Sequence, residues 1–141
     1  MTPKEECEKV MNDLLPIGIK FLKKQRGQFC PFGAIMKMDG EITLMGFYDE
    51  NEKPDPKEYL NNLKIACKKM AEDGEIKVSG IVWNASVKSD SNSGKEEDAI
   101  IVSLEHKDSY SVQIVLPYRV GLFRRYKFGS LAAMAGEHDI F

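Results

Sequence analysis

The stretch Ala99–Tyr118, AIIVSLEHKDSYSVQIVLPY, decides the fold. Even positions of its first arm are Ile100, Val102, Leu104 and His106. Those of the second arm are Tyr110, Val112, Ile114, Leu116 and Tyr118. Side chains alternate faces along a strand, so these positions form one largely apolar face. Cross-strand partners must share a face. A two-residue loop at Asp108-Ser109 would set His106 against Ser111 and divide the apolar sets between faces. A three-residue loop, Lys107-Asp108-Ser109, sets His106 against Tyr110, Leu104 against Val112, Val102 against Ile114 and Ile100 against Leu116. The buried face therefore selects the three-residue loop. Such a loop needs a left-handed residue at its last position, here Ser109, at a cost of about 1 kcal/mol relative to glycine. Pro117 has no N–H to give to a ladder, which predicts an edge position for the second arm near it.

Working outward, Thr2-Pro3-Lys4-Glu5 is a capping box with proline at the first helical position. Cys7, Val10, Met11, Leu14, Leu15, Gly18 and Leu22 follow at three- and four-residue spacing, predicting an amphipathic helix that ends near Gln25. Pro16 inside it predicts a kink or a split. Cys30–Tyr48 reads as a second hairpin turning at Asp39-Gly40. A three-residue loop, Met38-Asp39-Gly40, places Phe32, Ala34, Met36, Ile42, Leu44 and Tyr48 on one side and Lys37 opposite Glu41, and a two-residue loop, which mixes the faces, stays open as the alternative. Asp55-Pro56-Lys57-Glu58 repeats the cap logic. Tyr59, Leu63, Ala66, Cys67 and Met70 make the stripe of a second helix that stops near Gly74. Glu75–Lys88 reads as a long strand whose apolar parity changes from Ile76 and Val78 to Ile81, Trp83, Ala85 and Val87, predicting a β-bulge beside Gly80. Ser89–Asp98 has no apolar residue and reads as a mobile loop. Arg119–Phe141 is a tail, basic and aromatic first, small and apolar later.

The order α-β-β-α-β-β-β predicts a single α+β domain over residues 1–141, with two helices on one face of an antiparallel sheet of about five strands. Its 141 residues suffice for one core. With 43% hydrophobic and 30% charged residues the composition is that of an ordinary globular protein, and a net charge of −2 gives no general field toward nucleic acid or an anionic membrane. No apolar run nears the roughly 20 residues that span a bilayer. Cys7, Cys30 and Cys67 form no C-x-x-C pair, which points to a reducing cytoplasm rather than to a zinc or redox motif.

Pro31-Phe32-Gly33-Ala34, Glu105-His106 and Pro117-Tyr118 of the long hairpin, and the ending Gly136-Glu137-His138-Asp139-Ile140-Phe141 together resemble a group of small uncharacterised bacterial proteins whose chains end in a G-E-x-x-I-F pattern. That group tends to carry glycine where Ser109 stands here, a difference that touches turn geometry alone. The resemblance implies a bacterial cytosolic origin and carries no activity with it.

Candidate chemistry is sparse. Glu105, His106 and Asp108 lie near a hairpin tip, but strand neighbours point to opposite faces, so Glu105 and His106 do not converge. His138, between Glu137 and Asp139, would meet His106 at a metal only if the tail folded back onto that tip. Cys30 precedes a proline and has no local histidine to activate it, so it reads as a small buried hydrophobe, as do Cys7 and Cys67. No phosphate loop, dinucleotide fingerprint, nucleophile elbow or EF-hand spacing occurs. No catalytic residue, cofactor or metal is therefore expected. Arg119, Arg124, Arg125 and Lys127 interleave with Phe123, Tyr126 and Phe128, a composition shared by single-strand nucleic-acid patches and protein-binding patches. Ile35, Met45, Phe47, Ile101 and Val115 fall on the sheet face opposite the helices, more apolar surface than a solvated face needs.

The leading expectation is a non-enzymatic cytosolic protein acting by protein–protein interaction or self-association, an immunity-type toxin blocker being one form. Its contact residues would be Ile35, Met45, Phe47, Ile101, Val115, Arg119, Phe123, Arg124, Arg125 and Tyr126. The alternatives are a small-molecule site between helices and sheet involving Tyr48, Tyr59, His106 and Tyr118, and nucleic-acid binding by the tail.

Overall fold

The computed structural model describes residues 1–24, 29–46, 55–88 and 96–141, with the side chains of Val87, Lys88, Glu96 and Arg124 outside the description. Helix α1 spans Pro3–Lys24 and α2 spans Pro56–Glu72. The strands are β1 (Phe32–Lys37), β2 (Ile42–Met45), β3 (Ile76–Lys88), β4 (Glu96–His106), β5 (Tyr110–Val120), β6 (Tyr126–Phe128) and β7 (Ala132–Ala135). They form one antiparallel sheet in the order β2-β1-β3-β4-β5-β6, with β7 also on β5. The class is α+β, with seven strands rather than about five because the tail supplies two.

The long hairpin has the register that its apolar face selects. His106 faces Tyr110, Leu104 faces Val112, Val102 faces Ile114 and Ile100 faces Leu116. Ser109 takes the left-handed conformation with φ 65°. The first hairpin likewise turns through Met38–Gly40: Lys37 N donates to Glu41 O at 2.8 Å, and Gly40 has φ 94°. Phe47 and Tyr48 lie outside the described residues, as does Ser89–Lys95. The loop expected over Ser89–Asp98 is shorter at its far end, because Glu96–Asp98 already pair with Ser86–Lys88 in the β3–β4 ladder.

Caps set the helix starts. Thr2 Oγ1 accepts from Glu5 N at 3.1 Å, and Asp55 Oδ1 accepts from Lys57 N at 3.1 Å. Pro16 does not split α1, which runs unbroken through it. Pro16 and Asn12 are both exposed, so the carbonyl that loses its intrahelical donor faces water.

The helices do not share a face. Cys7, Val10, Leu14 and Leu22 of α1 pack on Ala34, Met36, Val78, Val82, Ile100, Val102, Leu104, Leu116 and Tyr118. Leu63 and Cys67 of α2 pack on Ile35, Ile76 and Ile81. Ile35 lies between Ala34 and Met36 in one strand, so α1 and α2 cover opposite sides of the sheet, and the expectation of two helices on one face is corrected. The same alternation explains Gly80. No bulge occurs there; Val78, Gly80 and Val82 all face α1. A Cβ at Gly80 would come within 2.7 Å of Leu14 Cδ1 and 2.8 Å of Val10 Cγ1, so glycine is required for close helix approach. The irregularity falls instead where Met36 faces Val78 but Lys37 faces Ile76, leaving Lys77 as the extra residue.

The outer edge of β5 is covered in two pieces. Tyr118 faces Phe128, whereas Val115 faces Ala132, so Gly129–Leu131 oppose only Leu116 and Pro117. Gly129 N donates to Pro117 O at 2.8 Å, but Pro117 has no N–H to return, and the ladder breaks at that point. After β7 the chain crosses the α2 side, where Ile140 is buried beside Ile35 and Ile81.

Candidate functional site

Glu105 and His106 diverge as strand geometry requires. His106, 2% exposed, lies on the α1 side, where Asp108 N donates to its Nδ1 at 3.0 Å. The other ring nitrogen, Nε2, therefore carries the hydrogen and donates to Glu6 Oε1 at 3.1 Å. The Lys77 ammonium pairs with the second oxygen of Glu6. Lys77 first, and His106 after it, hold the Glu6 carboxyl below its ordinary value. On the α2 side, Glu105 is buried and accepts from Ile140 N at 3.1 and 3.2 Å. Burial pushes the Glu105 carboxyl up, against the opposing effect of the tail's N–H groups.

Both acidic groups are thus fully engaged in holding elements together. The tail does fold back toward the hairpin, with Ser111 Oγ donating to Glu137 O at 2.6 Å. It crosses the side away from His106, and His138 is exposed. No cluster of three or more His, Cys, Asp or Glu side chains able to hold a metal occurs among the described residues. Cys7 and Cys67 are buried, and burial pushes both thiols up to about 12. Cys30 is buried at 7% exposure.

The apolar residues of the second face are internal. Ile35, Ile101 and Val115 are 5%, 4% and 7% exposed. Ile35 lies under α2, with Met45 packed against the same cluster, and Ile101 and Val115 pack with Ala99, Trp83 and Ala85. They offer no open surface. Phe47 is outside the described residues.

Among the described residues, the two most exposed large apolar side chains lie at the tip between β5 and β6. Gly121 N donates to Arg125 O at 2.8 Å, and Arg125 N donates to Leu122 O at 3.3 Å. Phe123 closes this loop in the left-handed conformation, φ 60° and ψ 27°. Leu122 is 84% exposed and Phe123 93%. Arg125 and Lys127 are exposed beside them, and Arg119 makes a loose 3.7 Å ion pair with Glu97. The backbone of Arg124 belongs to the same loop. Tyr126 and Phe128, by contrast, are turned inward. Tyr126 Oη donates to Leu22 O of α1 at 3.2 Å, its ring lies 5.9 Å from that of Tyr118, and Lys23 sits over Phe128 at 5.9 Å. The hairpin root is therefore fastened to the end of α1, and only its apex stands clear.

The sequence groups Phe123, Arg125 and Tyr126 as one patch; in the structure Phe123 and Arg125 are exposed at the apex and Tyr126 is half-buried at the root. The sequence pattern does not mark Leu122, nor a cleft of about 280 Å³ lined by Phe29, Pro31, Pro56, Lys57, Leu60, Trp83 and Asn84. Neither Tyr59 nor Tyr118 lines it. Tyr59 donates to Gly46 O, and Tyr118 Oη donates to Asn84 Oδ1 at 2.8 Å. Tyr48 is outside the described residues. No described helix is long and apolar enough to cross a membrane. No family model, curated protein or solved structure matches the chain.

Proposed function

We propose that this chain is a non-enzymatic cytosolic protein that acts by binding another protein, with the β5–β6 apex as its contact surface. One observation carries the reading: two adjacent large apolar side chains, Leu122 and Phe123, are 84% and 93% exposed on a loop that holds Phe123 at positive φ. A bulky residue in that conformation costs on the order of 1 kcal/mol, and strain of this kind concentrates at functional sites. The root is tied to α1 by the Tyr126–Leu22 hydrogen bond, and ordering in advance reduces the freedom lost on docking. A toxin-blocking role is compatible with the size and class. Purified protein and a Phe123→Asn variant, compared by co-purification from source-cell lysate and by light scattering, test it. A complex that depends on Phe123 is expected. A monomer whose bound proteins are the same with and without Phe123 overturns it.

A second reading is small-molecule binding in the Trp83 cleft, favoured by its apolar walls and the Lys57 and Asn84 groups beside them. A thermal-shift screen decides it: saturation at 100 times the dissociation constant stabilises by about 2.7 kcal/mol. Nucleic-acid binding has less support, since two of the three rings in the Arg119–Phe128 segment, Tyr126 and Phe128, pack on the α1 side.

A further inference from the structure

We infer that the partner presents an apolar pocket rimmed by carboxylates, an inference that rests on reading the apex as the contact surface. Leu122 and Phe123 project from a narrow hairpin end, so their complement is concave. Residues 118–128, YRVGLFRRYKF, contain four basic residues and no acidic one, in a chain whose net charge is −2. The fold adds to this end the last turn of α1 with Lys23 and Lys24, because Tyr126 is bonded to Leu22 O. Two described acids of β4 are engaged: Glu97 pairs with Arg119, and Asp98 Oδ1 accepts from Ser86 Oγ at 3.3 Å. Arg125 and Lys127 are left facing solvent around the apolar apex. Aromatic and arginine side chains dominate interface centres, and a rim of one sign selects a rim of the other.

A protein fits this chemistry better than a single-stranded nucleic acid. Stacking platforms need several open rings in a row. Here Tyr126 and Phe128 are packed against α1, and the neighbour of the open Phe123 ring is aliphatic Leu122.

The test places a photoreactive benzoylphenylalanine at Phe123 and maps the cross-link by mass spectrometry after irradiation in source-cell lysate. It is repeated with Arg125→Glu/Lys127→Glu, each variant first checked for native thermal unfolding. The expected attachment point is a protein segment with aspartate or glutamate around apolar residues. The double charge reversal should reduce the yield about tenfold, and raising salt from about 50 to about 500 mM should reduce it several-fold. Attachment to a neutral or basic protein surface, or a yield indifferent to charge reversal, overturns the partner chemistry while leaving the apex as the contact surface. Attachment to RNA overturns both. No attachment from position 123 overturns the contact surface itself.

Discussion

Glu105 and His106, adjacent in β4, anchor opposite layers of the molecule: His106 holds α1 through Glu6, and Glu105 holds the tail through Ile140 N–H. The two carboxyl groups tied in this way, Glu6 and Glu105, are displaced in opposite directions from the ordinary value of 4.5, the first down and the second up. Their contributions to stability therefore run oppositely with pH. A lowered value stabilises the fold above the ordinary one, and that stabilisation is lost as pH falls through the native value. A raised value stabilises the fold below the ordinary one, and that stabilisation is lost as pH rises through the native value. In denaturant titrations from acid to neutral pH, Glu6→Gln should fall progressively behind the parent as pH rises. Glu105→Gln should gain on the parent over the same range. Parallel profiles for the two variants would contradict the arrangement.

The tail is a structural member. Ile140 is 4% exposed in the cluster with Ile35, Leu63, Cys67, Ile76 and Ile81. Ile140→Ala should cost about 2–4 kcal/mol in chemical denaturation, the usual range for truncating a buried isoleucine. A loss under about 0.5 kcal/mol would mean that the tail does not pack there.

Gly80 is fixed by helix approach. A methyl group there meets Leu14 and Val10 well inside van der Waals contact. Gly80→Ala should destabilise by about 1–3 kcal/mol through overpacking. Combined with Leu14→Ala, which vacates the space, the two costs should fall short of additivity in a double-mutant cycle.

Phe123 should behave in the reverse manner. It is 93% exposed and sits at φ 60°, a region that asparagine tolerates better. Phe123→Asn should leave the melting temperature unchanged or raise it, by up to about 1 kcal/mol of stability, while removing partner capture. A clear loss of stability would indicate that the ring packs on the fold.

The thiols should be silent. Cys7 is 1% exposed, Cys67 0%, and both lie at about 12, far above neutral pH. A disulfide thiol reagent near neutral pH should label neither in the native protein, and both should react on unfolding. Rapid native labelling of Cys67 would show that α2 opens readily.

Much of this architecture can be read directly from the residues. The register of the long hairpin follows from which loop keeps the even apolar set together, and the two caps mark where the helices begin. The second layer is harder. Ile100-Ile101-Val102 and Ile81-Val82-Trp83 are apolar at both parities, the mark of strands buried on both sides. Read as a bulge at Gly80 and an uncovered face, that pattern conceals α2 on the far side. Ala132–Ala135 has little strand propensity and becomes a strand because β5 has an edge to pair with. Glu105 gives no local signal, since its partners are backbone groups 35 residues away. At the apex, the alternation of rings and cations is visible, but which rings turn inward depends on where α1 ends.

Trp83, the chain's single tryptophan, belongs to the α2 side, with Lys64 over its ring at 6.0 Å. Indole fluorescence is thus a one-sided gauge, reporting on α2 and the strap formed by the tail and only indirectly on α1. Far-ultraviolet dichroism weighs both helices. If the two signals separate along a denaturant series, the two layers are detaching in sequence; if they coincide, the shared sheet couples them into one cooperative unit.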